Sequence, residues 1–150
     1  VIDMFKIMVC LLVGVPAISY AHDYGCATVG ASMESSLFDA IKNDLNIDVA
    51  TIIKDKTKVE ILDISPVSKV YAESLARMDY EKDKAKNKVA ILDKKSYFDS
   101  YYENQVKSIV AKYTYINKDK GKDIFIASSF MNADECSVRF NGYITLSREF

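Results

Sequence analysis

With 20 basic and 21 acidic side chains among 150 residues and 49% hydrophobic residues, the chain is near neutral, of one-domain size and too apolar to be disordered. It lacks the basic excess that holds a nucleic-acid backbone, and it has no polybasic run to address an anionic membrane. Its three cysteines and single histidine narrow the available chemistry further.

The chain opens with a secretory layout. Lys6 precedes an apolar stretch from Ile7 to Ile18, Pro16 breaks it, and Ser19-Tyr20-Ala21 supplies a small-residue cleavage pattern. The stretch is shorter than the roughly 20 residues that a spanning helix needs. Residues 1–21 are therefore expected to be a removed signal peptide, with Met4 as the start and Val1-Ile2-Asp3 upstream of it. The remaining single domain, 22–150, would be periplasmic or secreted and without a membrane anchor. A lipidated Cys26 is the competing reading, but Asp23 and Tyr24 fit the positions before such a cysteine badly. Cys10 would leave with the signal. Cys26 and Cys136 then form an even pair in an oxidising compartment and are expected to bond to each other. Two buried thiols are the alternative.

Residues 22–31 read as a lead-in pinned by that bond. The clearest helix follows, Ser32 to Leu45, where Met33, Leu37, Ile41 and Leu45 recur every four residues. Ser32 is expected to cap it, Glu34 to complement its dipole and Asn46 to end it. Ile47 to Ile53 and Val59 to Ile64 read as short strands, with Pro66 marking an edge or a break. From Lys69 to Tyr80 the alternation of Val70, Ala72, Ser74, Ala76, Met78 and Tyr80 predicts a long strand. Residues 81–88 read as a solvated connection and Val89 to Leu92 as a returning strand. Residues 93–104 are a short helix or a structured loop.

Three strands then close the chain: 105–117, 123–131 and 136–147. Lys118–Lys122 is a hairpin loop with Gly121 at its positive-φ position, and 132–135 is a second turn. Asn141-Gly142 is a bulge or tight bend within the last strand. One helix followed by strands in hairpin order predicts an α+β fold, an N-terminal amphipathic helix packed on a curved, mainly antiparallel sheet. By element order alone this is the cystatin-like arrangement; no sequence motif adds kinship to it.

Catalytic constellations mostly fail. His22 would become the first residue after cleavage, a poor place for a triad imidazole. One histidine and two oxidised cysteines leave no zinc set, so no metal or other cofactor is expected. Gly25, Gly30, Gly121 and Gly142 lie too far apart to cradle a phosphate. An enzyme would have to rely on carboxylates such as Glu73, Glu103 and Glu135, which the sequence alone does not place together.

Tyrosine is the surplus, ten residues with no tryptophan. Tyr113 and Tyr115 share one face of their strand. Tyr97, Phe98, Tyr101 and Tyr102 cluster in the ambiguous segment and are the candidate binding residues, because such rings give contact area at little entropy cost. The alternative is that these rings fill a core. The lysine-rich stretches 82–95 and 118–122 read as solvated loops guarding sheet edges, with engagement of an acidic partner as the functional alternative.

Together these features favour an exported binding protein, an inhibitor or immunity protein that occludes a toxin or a hydrolase. Two other classes compete: a structural or adhesive subunit pairing through its Cys136–Phe150 end, and a carboxylate hydrolase acting on wall or capsule polysaccharide. The oligomeric state is not set by the sequence.

Overall fold

The computed structural model describes residues 25–136 and 138–150; the expected signal peptide and His22 lie outside them. The chain folds as helix α1 (Ser32–Leu45), strand β1 (Lys58–Pro66), helices α2 (Lys69–Asn87) and α3 (Lys94–Tyr102), then strands β2 (Lys107–Ile116), β3 (Lys122–Met131) and β4 (Arg139–Ser147). The four strands make one antiparallel sheet in the order β1-β2-β3-β4. This is the α+β class expected.

Helix α1 forms where its apolar spacing predicts. Met33, Leu37 and Ile41 are fully buried against Ile109, Ala111, Tyr113, Tyr115, Phe125 and Ala127 of β2 and β3. Its start differs from expectation. Ala31 occupies the N-cap, so Ser32 lies one position inside the helix and its hydroxyl caps nothing. Glu34 reaches back past the cap instead: its Oε2 accepts from the Gly30 amide, one residue before Ala31, at 2.5 Å, which ties the lead-in to the first turn. Asn46 ends the helix in the left-handed conformation, φ 56°.

The lead-in is tied down from two sides. Cys26 bonds to Cys136 in the β3–β4 connection, and the Tyr113 hydroxyl donates to the Ala27 carbonyl at 2.8 Å. Asn132 Oδ1 accepts from the amides of Asp134 and Glu135, which shapes the turn that carries Cys136.

Three expected strands are not strands. Ile47–Ile53 holds a 3-10 turn, Val49–Thr51, because the Asp48 carboxylate accepts from Ala50 N and competes with any ladder. Only an isolated bridge, Ile52 to Asn117, extends the sheet there. Lys69–Tyr80 is helical and continues through the expected connection to Asn87. Ser68 caps it, accepting from Tyr71 N at 3.3 Å. Its residues are mostly good helix formers, and the buried set Ala72, Leu75, Ala76 has helical spacing. Val89–Leu92 is the turn between α2 and α3, with Val89, Ile91 and Leu92 exposed.

The C-terminal strands match more closely. In the β2–β3 hairpin the residue at positive φ is Lys120 (70°), not Gly121. The Asn117 carboxamide sets that turn by accepting from Gly121 N at 2.8 Å. Gly142, at φ 106°, sits where the β3–β4 register shifts, and it is the bulge that Asn141-Gly142 signals. Beyond β4 the buried Asp123 carboxylate clamps the chain end, accepting from Glu149 N at 2.6 Å and Phe150 N at 3.2 Å.

Each face of the sheet carries a core, one complete and one partial. Successive residues of a strand face opposite sides, so Met131 joins the cluster under α1 while Phe130 enters a second cluster. That second core holds Val67, Ala72, Leu75, Ala76, Tyr101, Val106 and Phe130. The α2–α3 hairpin thus packs on the face away from α1, at the end of the sheet where β3 finishes. The rest of that face is open, with Ile144 and Leu146 of β4 and Leu62 of β1 exposed.

Candidate functional site

The four aromatic residues singled out in the sequence fall on one short helix, and the helix divides them. Asp93 starts α3, accepting from Ser96 N at 2.7 Å. Spacing of three and four residues then turns Tyr97, Phe98 and Tyr101 toward α2 and leaves Tyr102 outward. Tyr101 is buried and packs edge-on against Phe130, with ring centroids 5.7 Å apart. Tyr97 and Phe98 are half-buried against the same cluster, while Tyr102 is 44% exposed and packs on Phe98 in a tilted pair, ring centroids 5.1 Å apart. Tyr113 and Tyr115 are wholly buried beneath α1. Tyrosine therefore serves two ends in this protein: core filling on the inner face and a partly open aromatic surface on α3.

Two polar networks fix the hairpin. Near the turn that joins its helices, Asp83 of α2 accepts from the Ile91 amide at 2.6 Å and from the Tyr97 hydroxyl at 2.7 Å, and Asn87 also donates to it. These donors hold the Asp83 carboxyl below its usual range, the Ile91 amide contributing most. Nearer the sheet, Arg139 of β4 donates to both the Asp79 carboxylate and the Tyr101 hydroxyl, and Tyr101 itself donates to Asp79. Burial is the main reason that the Tyr101 phenol is pushed up to about 12.

Between α2 and α3 lies a groove of about 420 Å³, within the range typical of ligand clefts (~300–1,000 Å³). Its floor is Ala76, Tyr80 and Phe98, and its rim carries Lys69, Arg77, Lys94 and Lys95 with one acid, Glu73. Lys94 sits over the Tyr80 ring, 5.0 Å from its centroid, and Lys95 pairs with Asp99. Among the described residues Lys69 and Arg77 have no ion pair. The groove is thus apolar below and positive above.

Sequence reasoning located one wall, through Phe98, and missed the other. Lys69, Arg77 and Tyr80 were assigned to a strand, which scatters them over two faces; on a helix they align. The available signal was the Ser68 cap ahead of a run rich in Lys, Ala, Glu, Leu and Arg. Of the acids considered for catalysis, Glu73 borders the groove, while Glu103 and Glu135 are exposed at the end of α3 and in the β3–β4 turn. The structure does not bring these three together. Among the described residues no three His, Cys, Asp or Glu side chains converge as metal ligands do.

No family model matches the chain, and no curated protein or solved structure matches it.

Proposed function

We propose that this is an exported binding protein, periplasmic or secreted, that acts as an inhibitor or immunity protein by occluding a protein partner such as a toxin or a hydrolase. The observation that carries this reading is the α2–α3 hairpin. It raises a groove with an aromatic floor and a cationic rim on one side of the sheet, with Tyr102 packed on the floor residue Phe98. Half-buried aromatic anchors ringed by polar side chains are the usual make-up of a protein-binding hot spot. The Cys26–Cys136 bond fits an oxidising compartment, and a rigid frame lowers the ordering cost of binding. In this reading the architecture is the cystatin-like kind, one helix across a curved antiparallel sheet, with the helical hairpin inserted after β1.

The test is to mix the oxidised protein with a panel of envelope hydrolases, lysozymes included, and with exported toxins. One partner should lose activity in a 1:1 complex. Phe98→Ala with Tyr102→Ala should weaken that complex by about tenfold or more. Turnover of a wall polymer by the protein itself, with no partner inhibited, refutes the reading.

One observation supports a structural subunit as the second reading. β4 is an edge strand, the position strand addition uses, and Ile144 and Leu146 on it are 63% and 53% exposed. Polymers that grow with concentration and vanish when the last strand is deleted would favour it.

A further inference from the structure

We propose that the α2–α3 groove takes an acidic segment of the partner protein, one that places an aliphatic or aromatic side chain between flanking carboxylates. This rests on the protein-binding reading above and adds the chemistry of what is bound.

The argument is one of complementarity between two layers. Lys69, Glu73, Ala76, Arg77 and Tyr80 recur at helical spacing along one face of α2, and Lys94, Lys95 and Phe98 come from the first turns of α3. Both walls therefore bring cations to the rim and an aromatic ring to the floor. Four cations face one carboxylate at the rim. They are not equivalent: Lys95 is engaged by Asp99, and Lys94 rests on Tyr80. That leaves Lys69 and Arg77 without an ion pair among the described residues, both exposed and both on α2. A planar guanidinium grips a carboxylate through two parallel hydrogen bonds. Glu73, one helical turn from each of them, repels a second acid at the centre of the α2 wall, so the ligand's carboxylates are directed to the two ends. Below the rim the groove offers only Ala76, Tyr80 and Phe98, and they suit an apolar side chain. A slot of about 420 Å³ between two helices accepts a few residues of a chain. A lipid surface would instead call for a flat cationic face.

The test uses the oxidised full protein, labelled for NMR, and a short peptide with paired glutamates on either side of Leu-Phe. Amide shifts should concentrate at Lys69, Arg77, Tyr80, Lys94 and Phe98. Binding should weaken with rising salt and fall about tenfold or more on replacing the peptide's glutamates by glutamines. Arg77→Glu and, separately, Lys69→Glu should cause losses of the same size while the disulfide and helical content are kept. Absence of groove shifts at millimolar peptide, indifference to the glutamine exchange, or preferential engagement of the same residues by phosphatidylglycerol vesicles overturns the proposal. The two readings fail separately. A hydrolase inhibited equally by the protein and its Arg77→Glu variant leaves occlusion standing and removes the acidic segment. Peptide binding with no inhibited partner does the reverse.

Discussion

The Arg139–Asp79–Tyr101 contact is the point where the groove-bearing hairpin is fastened to the sheet by polar groups, and Arg139→Met tests it. The hairpin's apolar footing is modest, a seven-residue cluster that includes two alanines, so a polar tether represents a large part of its attachment. Removing the guanidinium leaves an Asp79 carboxylate only 19% exposed, with the Tyr101 hydroxyl as its remaining partner. Hydrogen bonds to charged groups contribute about 1.5–3 kcal/mol. Arg139 is itself 39% exposed, so solvent screens part of that. The expected cost is about 2 kcal/mol, and the methionine keeps most of the stem packing. Tyr101→Phe alone should cost about 1 kcal/mol. A double-mutant cycle of the two should show coupling of ~0.5 kcal/mol or more, because both groups share Asp79. Native-state hydrogen exchange is the assay. Amides of α2 should become easier to open by about 2 kcal/mol, and global unfolding in urea should fall by the same amount, while in parent and variant alike α2 opens at a smaller free energy than α1 and β2. Equal opening free energies for α1, β2 and α2 in the parent protein would show that the hairpin is not a separate unit. A change under ~0.5 kcal/mol in α2 would show that the tether is screened away.

Three further outcomes are expected. Replacing Cys26 and Cys136 by serine releases a 110-residue span; the chain-entropy relation puts the loss near 5 kcal/mol as an upper figure, read from the shift in urea midpoint. The Tyr101 phenol, raised from 10.0 to about 12, favours the fold fully below pH 10 and loses that contribution as pH rises through 12. Alkaline loosening of the hairpin over that window should therefore shrink in Tyr101→Phe, seen by hydrogen exchange or tyrosinate absorbance. Asp83, held below its ordinary 3.8, works in the opposite sense: its contribution is present above that value and fades as pH falls through the folded pKa. Asp83→Asn should thus show at neutral pH the loss of Ile91 amide protection, relative to the intrinsic exchange rate, that the parent shows only in acid. Equal exchange in both proteins at neutral pH would contradict this.

Elements whose local pattern admits one solution were legible in the sequence. Helix α1 is one, because a four-residue apolar repeat over fourteen residues fits only a helix with one buried stripe. The C-terminal strands are another, since β-branched and aromatic alternation punctuated by Asn and Gly leaves little choice of turn. The disulfide followed from arithmetic: with Cys10 set aside, two cysteines allow one intramolecular pairing. Residues 69–80 were ambiguous by nature. Alternation at two and repetition at three or four both fit a segment where Ala72 and Ala76 are the small buried residues, and helix propensity was the better arbiter there. The Ile47–Ile53 run shows the converse, where β-branched residues lost to a turn built by one aspartate.

The groove was beyond any local pattern. Phe98 is part of the second core because Phe130, on the far face of β3, gives α3 a surface to lie on. Arg77 and Lys94 line one groove because Asp83 and Arg139 hold α2 against α3 and the sheet. Those partners are separated by 60 residues in the case of Asp79 and Arg139. Spacing along a chain dictates which residues share a face of one element; which faces meet depends on packing the whole sheet, because apolar burial is non-directional and takes any surface that excludes water.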